Sequence, residues 1–515
     1  MEHRHTAQRP AMVEIELKFQ VPPESRAAVQ RALATSTARG VSLRAKYFDT
    51  PDGRLAAAGL ALRLRKQGRQ WVQTLKGPGA SAVQRMEHEV AVVQRRGELH
   101  SEPQLDIARH AGTPAGQALA AALGHALDDG AASLQLVFET DVRRTQRIVR
   151  SAGAVVEVAL DRGEIIAGNR RAPLCEIEFE LVRGPVQGLL ALAARWVQRH
   201  RLWLDIRSKA ERGERLGRGV QAGPAIAARQ SRLTPDMSGD AALRHIIGNC
   251  LAQVLPNAAD LAADVATGVG GAEHLHQLRI GLRRMRGALH VFGDWSGAVD
   301  VGWTPALAAL FARLGAARDR DVIAESVLPD LRDAEAPLAE LPPDHSSDNP
   351  GEALRSVACN KLLLELIGFS HPAPHAGSPE SPQPDILSLI KPRLRRMRRQ
   401  LRADAALFMT LDDASRHRTR KRLKRLRYSL EFVAALFAAK AVKRYLARVR
   451  AAQEVLGRYN DLVVAERAFR TQIAHDPRAW FAVGWLSARR AQLVEEATRA
   501  LAKLARTPDV WQDRK

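Results

Sequence analysis

Charged residues recur at every second position in short segments of the N-terminal half. The segment VEIELKF, from Val13 to Phe19, places Glu14, Glu16 and Lys18 between apolar residues. Successive side chains of a strand point to opposite faces, so these three charges would share one face. Glutamate pairs suit hard divalent cations such as Mg²⁺ or Mn²⁺, and Lys and Arg suit phosphate oxygens. Metal–phosphate chemistry is therefore an alternative to an ordinary solvated face.

The same kind of alternation occurs in several other segments. The charged residues concerned are Arg63, Arg65, Lys76, Arg85, Glu87, Glu89, Glu157, Asp161, Glu176, Glu178 and Glu180. If these strands close into a barrel, the apolar face lies outside under helices and the charged face lies inside. Acids and bases crowded in an interior need a charged ligand or a metal to offset their desolvation. The pattern thus predicts a tunnel for a metal ion and a polyphosphate.

The segments that must position these residues have strand patterns separated by turn residues such as Pro51-Asp52-Gly53. They span residues 13–19, 61–66, 71–77, 85–92, 134–142, 154–163 and 175–182, with helical stretches at 24–34 and 185–200. We predict an α+β domain over residues 1–216 and a linker over 217–238. The period then becomes helical, which predicts an all-α domain over residues 239–512.

The helical half contains an internal repeat. HQLRIGLRRMR begins at His276 and HRTRKRLKRLR begins at His417, and basic residues follow each histidine at offsets 3, 7, 8 and 10. A second match, LGAARD (314–319) against LGRYND (456–461), follows in each copy. The matched offsets predict two pseudo-symmetric helical bundles.

Each copy of the repeat predicts a helix with a basic row. The candidate anion-binding residues are His276, Arg279, Arg283, Arg286, His417, Arg420, Lys421, Lys424 and Arg427. Residues 391–427 hold fifteen Lys or Arg against three Asp, so few local acids can neutralise the row. Nucleic acid is a competing partner. However, aromatic residues are scarce and only Tyr428 lies among the basic rows, which favours a flexible, purely charged ligand.

The composition limits the class of protein. A formal net charge of +22 over 515 residues indicates polyanionic partners. The three cysteines are far apart and have no metal-ligand spacing. No signal-peptide pattern and no apolar run of about 18 residues is present. We therefore expect a cytoplasmic protein with no membrane partner and no specific nucleic-acid partner.

The N-terminal half resembles the CYTH domains of the triphosphate tunnel metalloenzymes. The E-x-E-x-K pattern of Glu14, Glu16 and Lys18 opens the match. It is followed in family order by YFDTPDGRL (47–55), GLALRLRK (59–66), QTLKG (73–77), RMEHE (85–89), FETDVRR (138–144), VEVALDRG (156–163), EIEFEL (176–181) and SKAERG (208–213). The resemblance implies an eight-stranded antiparallel tunnel with flanking helices, whose members cleave or rearrange triphosphates.

The resemblance also implies roles for the matching residues. The metal ligands, for Mg²⁺ or Mn²⁺, would be Glu14, Glu16, Glu176 and Glu178, assisted by Glu87, Glu89, Glu157 and Asp161. Triphosphate would be bound by Lys18, Arg63, Arg65, Lys76, Arg85, Arg144, Lys209 and Arg212. The candidate catalytic set is Glu14, Glu16, Lys18 and Lys76. Arg143 and Arg147 compete with Arg144. Glu180 is either a further acid of the site or, as we favour, a strand end near solvent.

The helical half resembles the CHAD domain. Besides the two basic rows, the matching residues are Arg284, Arg425, Tyr428, RDRDV (318–322) and YND (459–461). This resemblance implies binding of inorganic polyphosphate along the basic rows. His276 and His417 would either donate to phosphate or be interior histidines bonded to acids such as Asp319 and Asp461.

Taken together, these features predict metal-dependent hydrolysis of inorganic triphosphate to pyrophosphate and phosphate, with polyphosphate bound by the helical domain. Two alternatives stay open at this point. One is a non-catalytic or weakly catalytic polyphosphate-associated binding protein. The other is an adenylate cyclase of the CYTH class.

Overall fold

A computed structural model describes residues 12–68, 70–79, 83–93, 102–124, 134–263, 271–315, 323–338, 349–371 and 385–511. The chain divides into two compact units. The first comprises Met1–Ala225, Leu255–Gly270 and Leu354–Gly368, and the second comprises Ile226–Val254, Gly271–Ala353 and Phe369–Lys515. The predicted succession of an α+β half and an all-helical half is confirmed. The domain boundaries at 216 and 239 stay a prediction.

The first unit is built on a closed antiparallel barrel. Its strands are β1 (Met12–Gln20), β2 (Arg39–Asp49), β3 (Ala61–Gln67), β4 (Gln70–Pro78), β5 (Gln84–Val92), β6 (Gln135–Ser151), β7 (Ala154–Ala167), β8 (Arg170–Arg183) and the short β9 (Trp203–Leu204). Hydrogen bonds connect them in the order β5-β4-β3-β2-β6-β7-β8-β1, and β5 pairs with β1 to close the ring. β9 adds two residues beside β1. The predicted eight-stranded barrel is confirmed.

Helices cover the apolar outer face of this barrel. They are α1 (Arg26–Leu33), α2 (Arg54–Ala57), α3 (Pro114–Leu123) and α4 (Val186–His200). A fifth helix, α5 (Lys209–Arg218), instead packs on Phe138 and Val142, which share the inner strand face with Arg144. Phe19 of β1 and Phe179 of β8 are fully buried, and Phe179 meets Trp196 of α4 edge to face at 5.8 Å. Because side chains alternate along each strand, burying the phenylalanines outside directs the intervening charges inward.

A buried histidine pair lies between β5 and the turn at Ile107–His110. The Nδ1 atoms of His88 and His110 are 2.8 Å apart, and Nε2 of His110 is 3.0 Å from the Gln73 amide nitrogen. His110 has no exposed surface. Burial, with smaller contributions from His88 and Arg109, lowers the pKa of His110 to about 4. The folded protein therefore keeps this imidazole neutral.

This neutral histidine predicts acid sensitivity of the barrel. The unfolded chain takes up the His110 proton below pH about 6.5, so stability from this group is complete above that pH and is lost as pH falls toward 4. We expect His110→Gln to reduce the drop in unfolding free energy between pH 7.5 and 5 by about 2 kcal/mol. Urea unfolding of both proteins at the two pH values measures this. An unchanged drop would contradict the neutral imidazole.

The second half of the chain is helical. Its helices are α6 (Gly239–Ala263), α7 (Ala272–Phe292), α8 (Trp303–Arg313), α9 (Leu328–Asp333), α10 (Pro350–Arg355), α11 (Val357–Ser370), α12 (Ile386–Leu407), α13 (Asp413–Phe432), α14 (Ala439–Gln472) and α15 (Ala479–Ala505). The repeated basic rows fall on α7 and α13, as predicted. The RDRDV motif and Asp319 lie outside the described residues. None of the helices described is both long and apolar enough to cross a bilayer.

Candidate active site and anion-binding surface

The acids of β7 and β8 form a cluster inside the barrel. Asp161, Glu176 and Glu178 each offer a carboxylate oxygen, and these oxygens lie within 4.8 Å of one another. The strand register explains the cluster, since Asp161 is directly opposite Glu176 and Glu178 lies two residues further along β8. Asp161 and Glu176 are almost completely buried, at 0% and 1% exposure. Three carboxylates at this separation suit a hard divalent cation.

Three cationic side chains neutralise this acidic cluster. Arg144 of β6 donates to both oxygens of Asp161, at 2.7 and 2.6 Å. Lys209 Nζ lies 2.8 Å from Asp161 and also contacts Glu176, while Arg212 donates to Glu176 at 2.9 Å. Arg143 is exposed, so the structure places Arg144 rather than its neighbour in the interior.

These cations hold two acids of the cluster, Asp161 and Glu178, in their charged form. Burial raises the pKa of Glu178, but the charges of Lys209 and Arg144 outweigh this effect and hold that pKa well below its ordinary value. The same balance lowers the pKa of Asp161. The carboxylates of Glu178 and Asp161 are therefore ionised at neutral pH, as metal ligands must be.

Local sequence explains how α5 delivers Lys209 and Arg212. Ser208 caps the helix by accepting a hydrogen bond from the Glu211 amide at 3.1 Å. The two basic residues are three apart and therefore share one face of α5. Gly213, on the same turn, lies against the ring of Phe138, where an added Cβ would come within 2.2 Å of a ring carbon. The SKAERG motif thus combines a cap, two cations and a close approach to the barrel.

A second group of acids lies on β1 and β5. Lys76 Nζ is 2.8 Å from Glu14 and 3.0 Å from Glu87. Burial and a hydrogen bond with Glu14 raise the pKa of Glu87 to about 8. Burial acts in the same direction on Glu14, but Lys76 and the Glu87 hydrogen bond lower its pKa to about 2. The two carboxyl groups therefore share one proton at neutral pH.

The remaining predicted tunnel residues join the same interior network. Arg65 pairs with Glu89 at 2.9 Å, and Arg63 is 3.9 Å from Glu89. Lys18 and Arg85 approach Glu16 at 2.7 and 3.4 Å. The roles of individual residues as metal or phosphate ligands stay a prediction.

Glu157 and Glu180 lie opposite each other on β7 and β8. Burial, followed by the charges of Glu14 and Glu157, raises the pKa of Glu180 to about 7. These buried surroundings favour the first interpretation of Glu180, an acid of the site, over a strand end near solvent.

Three residues that sequence analysis did not single out support the site. The Tyr47 hydroxyl accepts a hydrogen bond from Arg63 at 3.3 Å, and the Thr74 hydroxyl donates to Glu89 at 3.1 Å. Asp49 accepts bonds from the backbone amides of Thr50, Leu55 and Ala56, so it shapes the turn of the YFDTPDGRL motif. Tyr47 and Asp49 lie inside that motif, so the motif was the sequence signal that could have identified them.

The carboxylate-rich interior fits a hard cation. Asp161, Glu176 and Glu178 would hold one ion through oxygen ligands, the donor type that Mg²⁺ and Mn²⁺ share. The fit does not distinguish these two metals.

In the second unit, basic residues of α7 and α13 crowd around one lysine. Burial, then the charges of Arg283, Arg420 and Arg427, lowers the pKa of Lys424 to about 6, while Asp461 acts in the opposite direction. Lys424 therefore lies in a strongly positive, partly buried environment on α13. Such an arrangement is suited to an anion that brings compensating charge.

Other residues of the predicted rows have structural contacts. Arg279 is buried and donates to the Leu314 carbonyl at 2.5 Å. Arg427 donates to Glu431 at 2.9 Å, and His417 Nδ1 lies 3.0 Å from the Asn460 amide oxygen. Lys421 is exposed. The structure thus gives His417 the side-chain amide of Asn460 as a partner, and its role toward phosphate stays a prediction.

Comparisons with known proteins identify both halves. Residues 12–213 match the family model of the CYTH domain, and residues 245–470 match that of the CHAD domain. An inorganic triphosphatase of Haemophilus influenzae is 32% identical over 207 residues, which are 40% of this chain and 55% of that protein. The chain thus spans about half the length of this curated relative.

Two solved structures are also similar. The CHAD domain from the plant Ricinus communis is 29% identical, with 56% of this chain and 99% of that chain covered and a TM-score of 0.45. A Hippeastrum protein, described as a candidate adenylyl cyclase with a dominant triphosphatase activity, is 23% identical, with 40% and 96% covered and a TM-score of 0.30. From the two family matches, this chain is a protein in which a CYTH domain is followed by a CHAD domain.

Proposed function

We propose that the barrel hydrolyses inorganic triphosphate to pyrophosphate and phosphate with Mg²⁺ or Mn²⁺ as the metal. The observation that carries this proposal is the acidic cluster of Asp161, Glu176 and Glu178 inside a ring of basic side chains. An interior with this composition can exchange its internal ion pairs for a bound cation, held by the acids, and a bound polyanion, held by the bases. The similarity to the Haemophilus inorganic triphosphatase supports the choice of substrate.

In this mechanism the protein supplies binding, orientation and proton transfer. A bound divalent ion would act as a Lewis acid on the triphosphate oxygens. Arg63, Arg65 and Lys76 bind the phosphate oxygens and stabilise the charge that develops on the bridging oxygen. Glu180, with a pKa of about 7, accepts a proton from the attacking water at neutral pH. Lys209 and Arg212 close the barrel over the substrate from α5.

Substrate preference tests this proposal. We expect phosphate release from inorganic triphosphate to exceed release from ATP, pyrophosphate and long-chain polyphosphate at equal concentration, and to require a divalent metal. If the protein converts ATP to cyclic AMP faster than it releases phosphate from triphosphate, the cyclase becomes the favoured function. Absence of turnover on every substrate, with polyphosphate still bound, would favour the binding-protein alternative.

The close approach of α5 to the barrel gives a further prediction. Gly213→Ala would force a methyl group against Phe138, so we expect a loss of about 1–3 kcal/mol of stability and a lower kcat, because Lys209 and Arg212 shift. Gly217→Ala, one turn later, is the matched control, since its Cβ would meet no atom closer than 3.7 Å. Thermal unfolding and turnover measure both effects. Equal behaviour of the two variants would contradict the packing role of Gly213.

We further propose that the helical domain binds inorganic polyphosphate. The observation that favours this second function is the positive environment of Lys424, to which α7 and α13 both contribute. We keep residues 1–216 and 239–512 as the proposed extents of the two domains.

A further inference from the structure

Helix α12 carries arginines along its exposed face. The exposed arginines of this helix are Arg395, Arg396, Arg399 and Arg402. The opposite face is buried through Ile386, Ile390, Leu394 and Leu401. No carboxylate among the described residues forms an ion pair with any of the four arginines. At 1.5 Å per residue, this basic face extends about 10 Å along the helix.

The same exposed face continues into an apolar end. Ala403 and Ala406 are exposed, Leu407 is 60% exposed and Met409, in the turn that follows, is 52% exposed. At about 100° per residue, Leu407 falls on the same arc of α12 as Arg396 and Arg399. Leu407 therefore continues the arginine face toward the end of α12, and the exposed Met409 follows in the next turn.

This surface is separate from the basic rows assigned to polyphosphate. Arg422 of α13 donates to Asp404 of α12 at 2.5 Å. On α13, Arg422 lies on the opposite side from Arg420 and Lys424, so α12 packs against the other flank of that helix. The helix that precedes the basic row in the first repeat, α6, has Arg244 as its single Lys or Arg. The arginine face is thus no part of the repeated pattern.

We propose that this face of α12 docks the protein onto an anionic phospholipid surface. Guanidinium groups pair well with the lipid phosphates, and a cluster of four to eight basic residues on an amphipathic helix is typical of such contacts. Leu407 and Met409 enter the boundary between headgroups and acyl chains. A polyphosphate or a nucleic acid would satisfy the arginines but leave both apolar side chains in water. A peripheral membrane contact of this kind would run against the expectation from the sequence that the protein has no membrane partner.

Vesicle sedimentation with the full chain tests the proposal. We use phosphatidylcholine vesicles with and without about one-third phosphatidylglycerol, and expect binding only to the anionic ones. Arg395→Gln, Arg399→Gln and Arg402→Gln together should lower the partition coefficient at least about tenfold. Leu407→Ser with Met409→Ser should also lower it. Arg458→Gln, Arg489→Gln and Arg499→Gln, which remove three exposed arginines from α14 and α15, should retain at least half of the binding.

Two outcomes would overturn the proposal. The first is absence of binding to anionic vesicles, or equal loss in the α12 triple variant and its control, with all proteins folded by circular dichroism. The second is a triple variant that loses affinity for a short DNA duplex as strongly as for vesicles while the Leu407 and Met409 substitutions have no effect. The face would then serve a purely charged partner.

Discussion

Glu178→Gln is expected to lower the turnover of inorganic triphosphate by about a hundredfold to a thousandfold. Glu178 contacts Arg144 at 2.5 Å and Lys209 at 2.8 Å, and it shares the acidic cluster with Asp161 and Glu176. The amide keeps the size of the side chain but removes one negative charge. The cluster would then lose one proposed metal ligand and part of the charge that balances the two cations. The metal concentration needed for half-maximal turnover should rise as well.

The matched control is Glu164→Gln on the neighbouring strand. Glu164 pairs with Arg171 at the surface, where both side chains are at least 36% exposed. We expect its turnover to stay within about twofold of the unchanged protein, since exposed pairs contribute little. If Glu178→Gln keeps full activity and an unchanged metal requirement, the cluster on β7 and β8 is not the metal site.

Combined Arg420→Ala, Lys424→Ala and Arg427→Ala substitutions are expected to weaken polyphosphate binding at least about a hundredfold and to leave triphosphate turnover unchanged. With these three cations removed, fewer counterions are released from the polyphosphate on binding. The dependence of affinity on salt should therefore also become shallower. Arg458→Ala, Arg489→Ala and Arg499→Ala remove the same charge elsewhere on the helical half. Fluorescence titration with polyphosphate at several salt concentrations measures both quantities. Equal loss in the two triple variants would indicate a general charge effect and contradict a defined site.

Lys424 also predicts proton uptake on polyphosphate binding. With a pKa of about 6, its amine is mostly neutral at pH 7.5 in the free protein. A bound polyanion raises that pKa, so binding takes up close to one proton and affinity increases as pH falls toward 6. Calorimetry in two buffers of different ionisation enthalpy measures the uptake. Lys424→Arg should bind without it, and an identical uptake in that variant would show that another group is responsible.

The barrel could be predicted because alternation at period two determines which residues share a face. Glu14, Glu16 and Lys18 lie inside for that reason, and Leu17 and Phe19 are buried outside. β2 was not among the segments named from sequence, although Leu43, Ala45 and Tyr47 are buried at every second position. Its exposed charges and its glycine concealed the pattern.

Pairing between distant strands could not be predicted from local patterns. Arg144 on β6 pairs inside the barrel with Glu178 on β8, two strands away, and Lys209 contacts the same acid from α5. These contacts depend on the register of β6, β7 and β8, which no single segment contains. Arg279 is a similar case, because its buried bond to the Leu314 carbonyl depends on packing between helices.

Phosphorus NMR of the full chain with inorganic triphosphate follows the proposed hydrolysis in the barrel. With Mg²⁺ or Mn²⁺, we expect triphosphate to disappear while pyrophosphate and phosphate appear in equal amounts. Excess EDTA should stop the reaction, and renewed metal should restore it. Undiminished hydrolysis in EDTA, or stable triphosphate in the presence of either metal, would contradict a metal-dependent triphosphatase in the barrel.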